Sequence, residues 1–149
     1  MSQTTPRLAA RALILDAGRL LLVNAYPGAQ SDLMCLPGGG VEKHQSVPDN
    51  LIREVWEETG LTIRIGALRA VSEFHHPEKG FHQVELIYEA SIIARPKGNW
   101  ADTEGVVNRT AWVNQTEFAG LRVKPDIVEK LAFGPKGDVL YDPLEVIVP

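Results

Sequence analysis

SVPDNLIREVWEETGL, residues 46–61, is the stretch on which the reading of this chain turns. Ser46 stands where a helix N-cap is expected, Pro48 falls in the first turn, and Asp49 faces the positive end of the helix dipole. The predicted helix continues to Glu58 or Thr59, and Gly60 sits where a left-handed C-terminal cap is expected. At 100° per residue from Leu51, the apolar Leu51, Val55, Ile52 and Trp56 fall between about 0° and 140°. Arg53, Glu57, Glu54 and Glu58 fall between about 200° and 340°. One side therefore packs on a core, Trp56 included. The other gathers three carboxylates, which repel one another unless something positive lies against them.

Two readings compete for that acidic stripe. A helix face rich in Arg and Glu is ordinarily a solvated surface, with Arg53 and Glu57 paired at i,i+4. The alternative is a bound cation. The donors are all oxygens, with no Cys or His among them, which selects a hard divalent ion such as Mg2+ or Mn2+. Just upstream, the glycine triplet Gly38–Gly40 leaves backbone groups open to a ligand. An ion held by few carboxylates keeps open positions that phosphate oxygens fill, so these residues point to phosphoryl chemistry.

The rest of the chain narrows the choices. Its 149 residues fit one domain, 1–149, large enough to bury most of its apolar surface without staples. Nineteen acidic residues against fifteen basic ones give a net charge of −4, a balance that excludes a field for long nucleic acid. The single cysteine, Cys35, precludes an internal disulfide and falls in an apolar run, so it is read as a core residue in a reducing compartment. The start, MSQTTPRLAARALILDAG, does not read as a secretory signal, and no stretch approaches bilayer length. The expectation is a cytoplasmic protein with no membrane partner.

Strand patterns surround the helix. RALIL (11–15) and RLLLVNA (19–25) flank the turn DAG and predict a hairpin buried on both faces, and LMCL (33–36) predicts a short buried strand running into PGGG. LTIRIGALRAVSEF (61–74) and FHQVELIYEASIIA (81–94) follow, separated by the turn-rich HHPEKG. In the second, Val84, Leu86, Tyr88 and Ala90 are read as one side, with Gln83, Glu85 and Glu89 opposite or flanking. RPKGNWADTEG (95–105) reads as a loop, TAWV (110–113) as a strand, and PDIVEKLAF (125–133) as a helix begun by proline. The core spans about residues 8–133. The apolar extension 134–149 is read either as an added edge strand or as a surface for a second copy in a homodimer. Strands with interspersed helices imply a mixed sheet with helices packed on it.

From Gly39 to Leu61 the chain resembles a Nudix box, G-x5-E-x7-R-E-U-x-E-E-x-G-U with U a bulky aliphatic residue. Gly39, Arg53, Glu54, Glu57, Glu58 and Gly60 match, as do Val55 and Leu61, and LPGG (36–39) matches the run that usually precedes it. On these residues the chain is identified as a member of the Nudix (MutT-like) hydrolase family. The resemblance implies an α/β/α sandwich around a mixed β-sheet, in the α/β (α+β) class, with the box as loop–helix–loop. It also implies hydrolysis of a diphosphate linkage in a small nucleotide-type substrate by water attack at phosphorus, with Mg2+ or Mn2+. By position, Glu54, Glu57 and Glu58 would hold the metal, with a backbone carbonyl near Gly38 completing the coordination. Arg53 would orient the glutamates.

The sequence departs from the family at Gln45, where the first box glutamate stands in other members, with His44 replacing the small residue before it. Gln45 carries no charge and serves as neither counter-ion nor base; the reading preferred here is that it supports the loop through hydrogen bonds. Met34 replaces a frequent tryptophan. Outside the box, Glu104 resembles a position that supplies an additional carboxylate in some members. Phe74 and His82, with His75, His76 and Phe81, bracket a loop that would contact a base, and Trp100 is open to either role. Arg7, Arg11, Lys43, Arg64 and Lys79 are candidates for phosphate contacts. The rival from another class is a non-catalytic nucleotide-binding or sensor domain, with Gln45 as its lesion. A diphosphate isomerase on the same scaffold would need a reactive Cys/Glu pair, which the apolar setting of Cys35 disfavours.

Overall fold

The computed structural model describes residues 5–102 and 104–149. Among them, strands β1 (Arg7–Asp16), β2 (Arg19–Asn24), β3 (Met34–Cys35) and β4 (Gly38–Gly40) lead into helix α1 (Val47–Thr59). Strands β5 (Thr62–His76), β6 (Phe81–Ala94) and β7 (Thr110–Val113) follow, then helices α2 (Gln115–Phe118) and α3 (Val128–Phe133), and last strand β8 (Leu140–Val146). The mixed sheet has the order β3-β2-β1-β6-β5-β8, with β4 paired to β1 and β7 to β2. No helix of the described residues is long and apolar enough to cross a membrane.

Strand β1 is the hinge of this arrangement. It meets β2 only at its end, through Leu15–Leu20 and Asp16–Arg19, and then diverges. From Arg7 to Ile14 it runs parallel to β6 on one edge, while the glycines of β4 pair with Ala9–Arg11 on the other. Alternation along β1 and β2 splits their apolar residues between two cores. Ala10, Ala12, Ile14 and Leu21 face Leu51 and Val55 of α1, whereas Leu13, Leu20 and Leu22 pack with Phe118, Val128 and Leu131 of α2 and α3. Helices thus cover both faces of the sheet, the α/β/α sandwich expected. Burial on both sides explains the continuous apolar runs.

Helix α1 has the caps read from the sequence. Ser46 accepts a hydrogen bond from the Asp49 N–H, and Gly60 takes φ 75° and donates to the Trp56 carbonyl. The apolar tail adds a parallel edge strand, β8, on β5.

Five details correct the sequence reading. The glycine triplet is a strand, β4, because its backbone completes the edge that β1 leaves open. Strand β5 extends through His75 and His76, which pair with His82 and Phe81 and confine the turn to residues 77–80. In β6 the deeply buried residues are Gln83, Glu85 and Ile87, and Val84, Leu86 and Tyr88 are half-buried. Polarity misleads there because the Glu85 charge is met inside the protein by Arg11 at 2.9 Å. The last helix begins at Val128 after a turn in which the Val128 N–H reaches the Pro125 carbonyl, and α2 precedes it, opened by an Asn114–Glu117 capping box. Finally, Trp56 is 45% exposed, because it sits at the rim of the apolar stripe and meets another indole.

Candidate active site

The acidic side of α1 and the glycine strand enclose a cleft of ≈ 200 Å³. Glu54, Glu57 and Glu58 line it with Gly38–Gly40, and the 95–105 loop adds Asp102 and Glu104. Three of the glutamates were read from helical spacing; the loop, which packs on α1 through Trp100, supplies the fourth.

Each helix carboxylate is fixed differently. Glu58 accepts a 2.7 Å hydrogen bond from the Gly38 N–H. Burial, reinforced by Glu54 and Asp102, still pushes its pKa up to about 7 against the pull of Arg11 and that hydrogen bond. The Glu54 carboxylate lies against the Gly39 backbone and is also pushed up, chiefly by burial, with Glu57 and Glu104 adding to it. Glu57 Oε1 pairs with Arg53 at 3.0 Å, and its Oε2 is buried with no partner.

Arg53 does not line the cleft. Its guanidinium lies 3.0 Å from Glu57, 3.5 Å from Glu54 and 3.6 Å from Glu42, and it donates to Asn50 Oδ1. Asn50, fully buried, also donates to the Gly40 carbonyl and accepts from the Glu42 N–H. One amide therefore ties the helix to the loop before it. Sequence reasoning passed Asn50 over, although a polar residue preceding Leu51 on the core-facing turn was a usable signal. Gln45 is exposed and lies off the cleft.

Beneath the cleft, Arg11 donates to Glu85 through Nε and to the carbonyls of Leu36 and Gly38 through Nη1. Gly38 has φ 142°, and a side chain there would collide with the Ala10 carbonyl, so only glycine fits. The Gly38 carbonyl proposed from the family for metal coordination thus already accepts one hydrogen bond, and a carbonyl has two lone pairs. Cys35 borders the cleft, and burial pushes its thiol up to about 11, which keeps it protonated and unreactive.

The loop is fastened by Trp100. Its indole Nε1–H donates 2.9 Å to the Glu57 carbonyl, and its ring meets Trp56 edge-on at 4.9 Å between centroids. It also fills the space beside Gly60 that a side chain would occupy. Asp102, also at the cleft, is engaged by its own loop: its carboxylate accepts from the N–H groups of Glu104, Val106 and Val107. Glu104 is left facing the cleft. No local pattern in the sequence announced the Trp100 contact, which spans 43 residues.

Of the remaining candidates, Arg7 and Arg11 line the cleft, whereas Lys43, Arg64 and Lys79 do not. Phe74 lines a second cavity beside it. The structure does not bring His82 to either: its Nε2 lies 3.1 Å from Glu73 on the other face of the β5–β6 hairpin.

Among the described residues no three Asp, Glu, His or Cys side chains stand close enough to form a ready-made metal cluster. The donor chemistry nonetheless fits a hard divalent cation. The lining carboxylates offer only oxygens, burial disfavours the lone negative charge on two of them, which a cation would offset, and Glu57 Oε2 is an orphaned buried acceptor.

Comparison with known proteins agrees with this geometry. A family model described as NUDIX domain matches residues 5–131. An ADP-ribose pyrophosphatase of Methanocaldococcus jannaschii is 26% identical over 88 residues, 59% of this chain and 52% of that one. The chain spans from 42% to 64% of the length of the curated relatives it matches. A NUDIX hydrolase from Nitrosomonas europaea superposes with a TM-score of 0.73 at 21% identity, covering 85% of this chain and 86% of that one. A UDP-X diphosphatase does so at 0.70 and 19%, covering 94% and 69%. At such identities the structures attest the fold, and the match over most of its length makes this chain a member of the NUDIX domain family.

Proposed function

We propose that this protein hydrolyses a phosphoric anhydride bond in a small nucleotide-type substrate, a nucleoside triphosphate or a nucleoside diphosphate joined to another moiety. The observation that carries the reading is Glu57 Oε2, a buried carboxylate oxygen without a partner, in a cleft where two further glutamates are desolvated. Glu54, Glu57 and Glu58, with Glu104 opposite, would hold Mg2+ or Mn2+. Such an ion, when bound, neutralises phosphate charge and polarises the P–O bond under attack.

The protein's own groups do the rest. Arg53 keeps Glu57 and Glu54 turned toward the cleft without lining it. Arg11 and Glu58 hold the glycine strand in place, one donating to the Gly38 carbonyl and the other accepting from the Gly38 N–H. Arg7, at the border of the cleft, supplies a cation for the second phosphate. Water adds to phosphorus, the bridging P–O bond breaks, and one of the three helix glutamates takes the proton. The names of relatives, an ADP-ribose pyrophosphatase and a UDP-X diphosphatase, support a nucleoside diphosphate sugar as substrate. The sensor reading rested on Gln45, which is exposed and off the cleft, so no observation favours it.

The test is cleavage of ADP-ribose, a UDP-sugar and nucleoside triphosphates in Mg2+ and in Mn2+, followed by product analysis. Cleavage of at least one, lost on chelation, is expected. No product from any of them in either metal, with the protein folded, defeats the reading.

A further inference from the structure

Strand β2 runs through the apolar core and ends on a polar residue, Asn24, that is 2% exposed. A buried amide needs partners for its two N–H groups and for its oxygen. Asn24 Nδ2 donates to the carbonyls of Tyr26 at 2.7 Å and Val106 at 2.8 Å. Its Oδ1 accepts from the N–H groups of Asn108 at 2.9 Å and Arg109 at 3.0 Å. Both donor hydrogens and both lone pairs are then in use. Asn24 borders the carboxylate cleft, yet its side chain has no donor or acceptor left for a ligand. What it does there it does through the loop.

Three of its four bonds go to the segment that follows Glu104. Asp102 holds the nearer half in the same way. Its carboxylate takes the N–H groups of Glu104, Val106 and Val107, and its carbonyl takes that of Gly105. The six consecutive N–H groups from Glu104 to Arg109 are therefore all bound within the protein. The two side chains meet at Val106, whose N–H goes to Asp102 and whose carbonyl goes to Asn24.

A surface loop ordinarily leaves such groups to water and moves accordingly. One whose N–H groups are all held internally is ordered on folding, before a ligand arrives. Glu104 stands at the head of this segment, close enough to Glu54 for its charge to help push that carboxyl up.

We propose that Asn24 is a positioning residue for the cation site: with Asp102 it fixes segment 104–109, so that Glu104 faces the helix glutamates already in the metal-free protein. The inference deepens the hydrolase reading and rests on it for the ion. Asparagine suits the position. Aspartate would accept the same two N–H groups but turn a negative charge on the Tyr26 and Val106 carbonyls, and leucine would leave all four groups unpaired.

The test uses the full chain and Mn2+ alone, with the free ion read by electron paramagnetic resonance, so no turnover is needed. Asn24→Ala and the milder Asn24→Ser should each weaken Mn2+ binding about tenfold or more, the loss typical when a group supporting a metal ligand is removed. Glu104→Gln should weaken it too. Added to Glu104→Gln, Asn24→Ala should change the affinity by less than about twofold, because the carboxylate it positions is already gone. Asn114→Ala, which loosens the cap of α2 outside the cleft lining, controls for stability. It should lower the melting temperature and leave Mn2+ binding as it was.

Hydrogen exchange on the wild-type chain keeps the proposal testable if neither Asn24 variant folds. The amides of 104–109 should be protected without metal and change little when Mn2+ is added. The proposal is overturned if folded Asn24 variants, or Glu104→Gln, bind Mn2+ as the wild type does, or if the two effects multiply. Amides at 104–109 that become protected only with Mn2+ also overturn it. Mn2+ binding that depends on Asn24 in a protein that cleaves nothing would defeat the hydrolase reading alone. Cleavage with Mn2+ binding indifferent to Asn24 would defeat the positioning alone.

Discussion

The Trp100 indole donates its hydrogen bond to the main-chain carbonyl of Glu57, one of the helix's last acceptors and the backbone of a cleft carboxylate. A carbonyl that the helix leaves without an internal partner is thereby satisfied by the loop carrying Glu104. Trp100→Phe keeps the ring and loses the donor, so it should cost about 1 kcal/mol of stability. Trp100→Ala loses the ring as well and should cost more, with a several-fold drop in turnover as Glu104 moves away. A double-mutant cycle with Glu104→Gln checks the linkage. Additive effects on kcat would show that Trp100 does not position Glu104.

The helix carboxylates give a sharper expectation. Glu57→Gln or Glu58→Gln should lower kcat by about 10²–10³, the loss seen when one charge-stabilising group is removed. Circular dichroism should show the fold unchanged, since Gln is nearly isosteric. Rates like those of the wild type in either variant would remove the metal assignment.

Gln45→Glu should retain activity or raise it, because the side chain is exposed and the loop is tied instead by Asn50. A loss beyond about tenfold, roughly 1.4 kcal/mol of barrier, would mean that Gln45 has a role in the loop that its exposure hides.

A pH-dependent term in stability is expected at Asp142. Burial, with Glu145 beside it, pushes this carboxyl from 3.8 up to about 7. Glu145 stays low despite burial, because Asp142 and Lys124 donate to it. The folded state thus holds a proton on Asp142 that the unfolded chain releases near 3.8. The resulting stabilisation is full below that value and is lost as pH rises through about 7. Asp142→Asn keeps the donor without the ionisation, so it should melt above the wild type at pH 8 and close to it at pH 5. Parallel melting curves across that range would contradict the assignment.

How much of this was legible depends on the range of the interaction. The caps of α1 were readable because Ser46, Asp49 and Gly60 act within a turn of their own positions. The carboxylate stripe was readable because helical spacing is itself a short-range rule. The facing of β6 was not, since Glu85 looks like surface until Arg11, 74 residues earlier, is placed against it. Trp56 was misplaced for a similar reason: its neighbour Trp100 arrives from a loop with no pattern of its own. Helix α2 is only four residues long, yet the Asn114–Glu117 spacing was a capping signal that could have been used.

The Arg11–Glu85 ion pair restricts how this chain can vary. Removing one member leaves a buried charge unmatched, at about 3–5 kcal/mol, whereas an apolar pair in its place is often harmless elsewhere. Here that escape is closed, because Arg11 also satisfies the carbonyls of Leu36 and Gly38. Any substitution path through this pair must therefore replace two charges and find new donors for two main-chain oxygens at once.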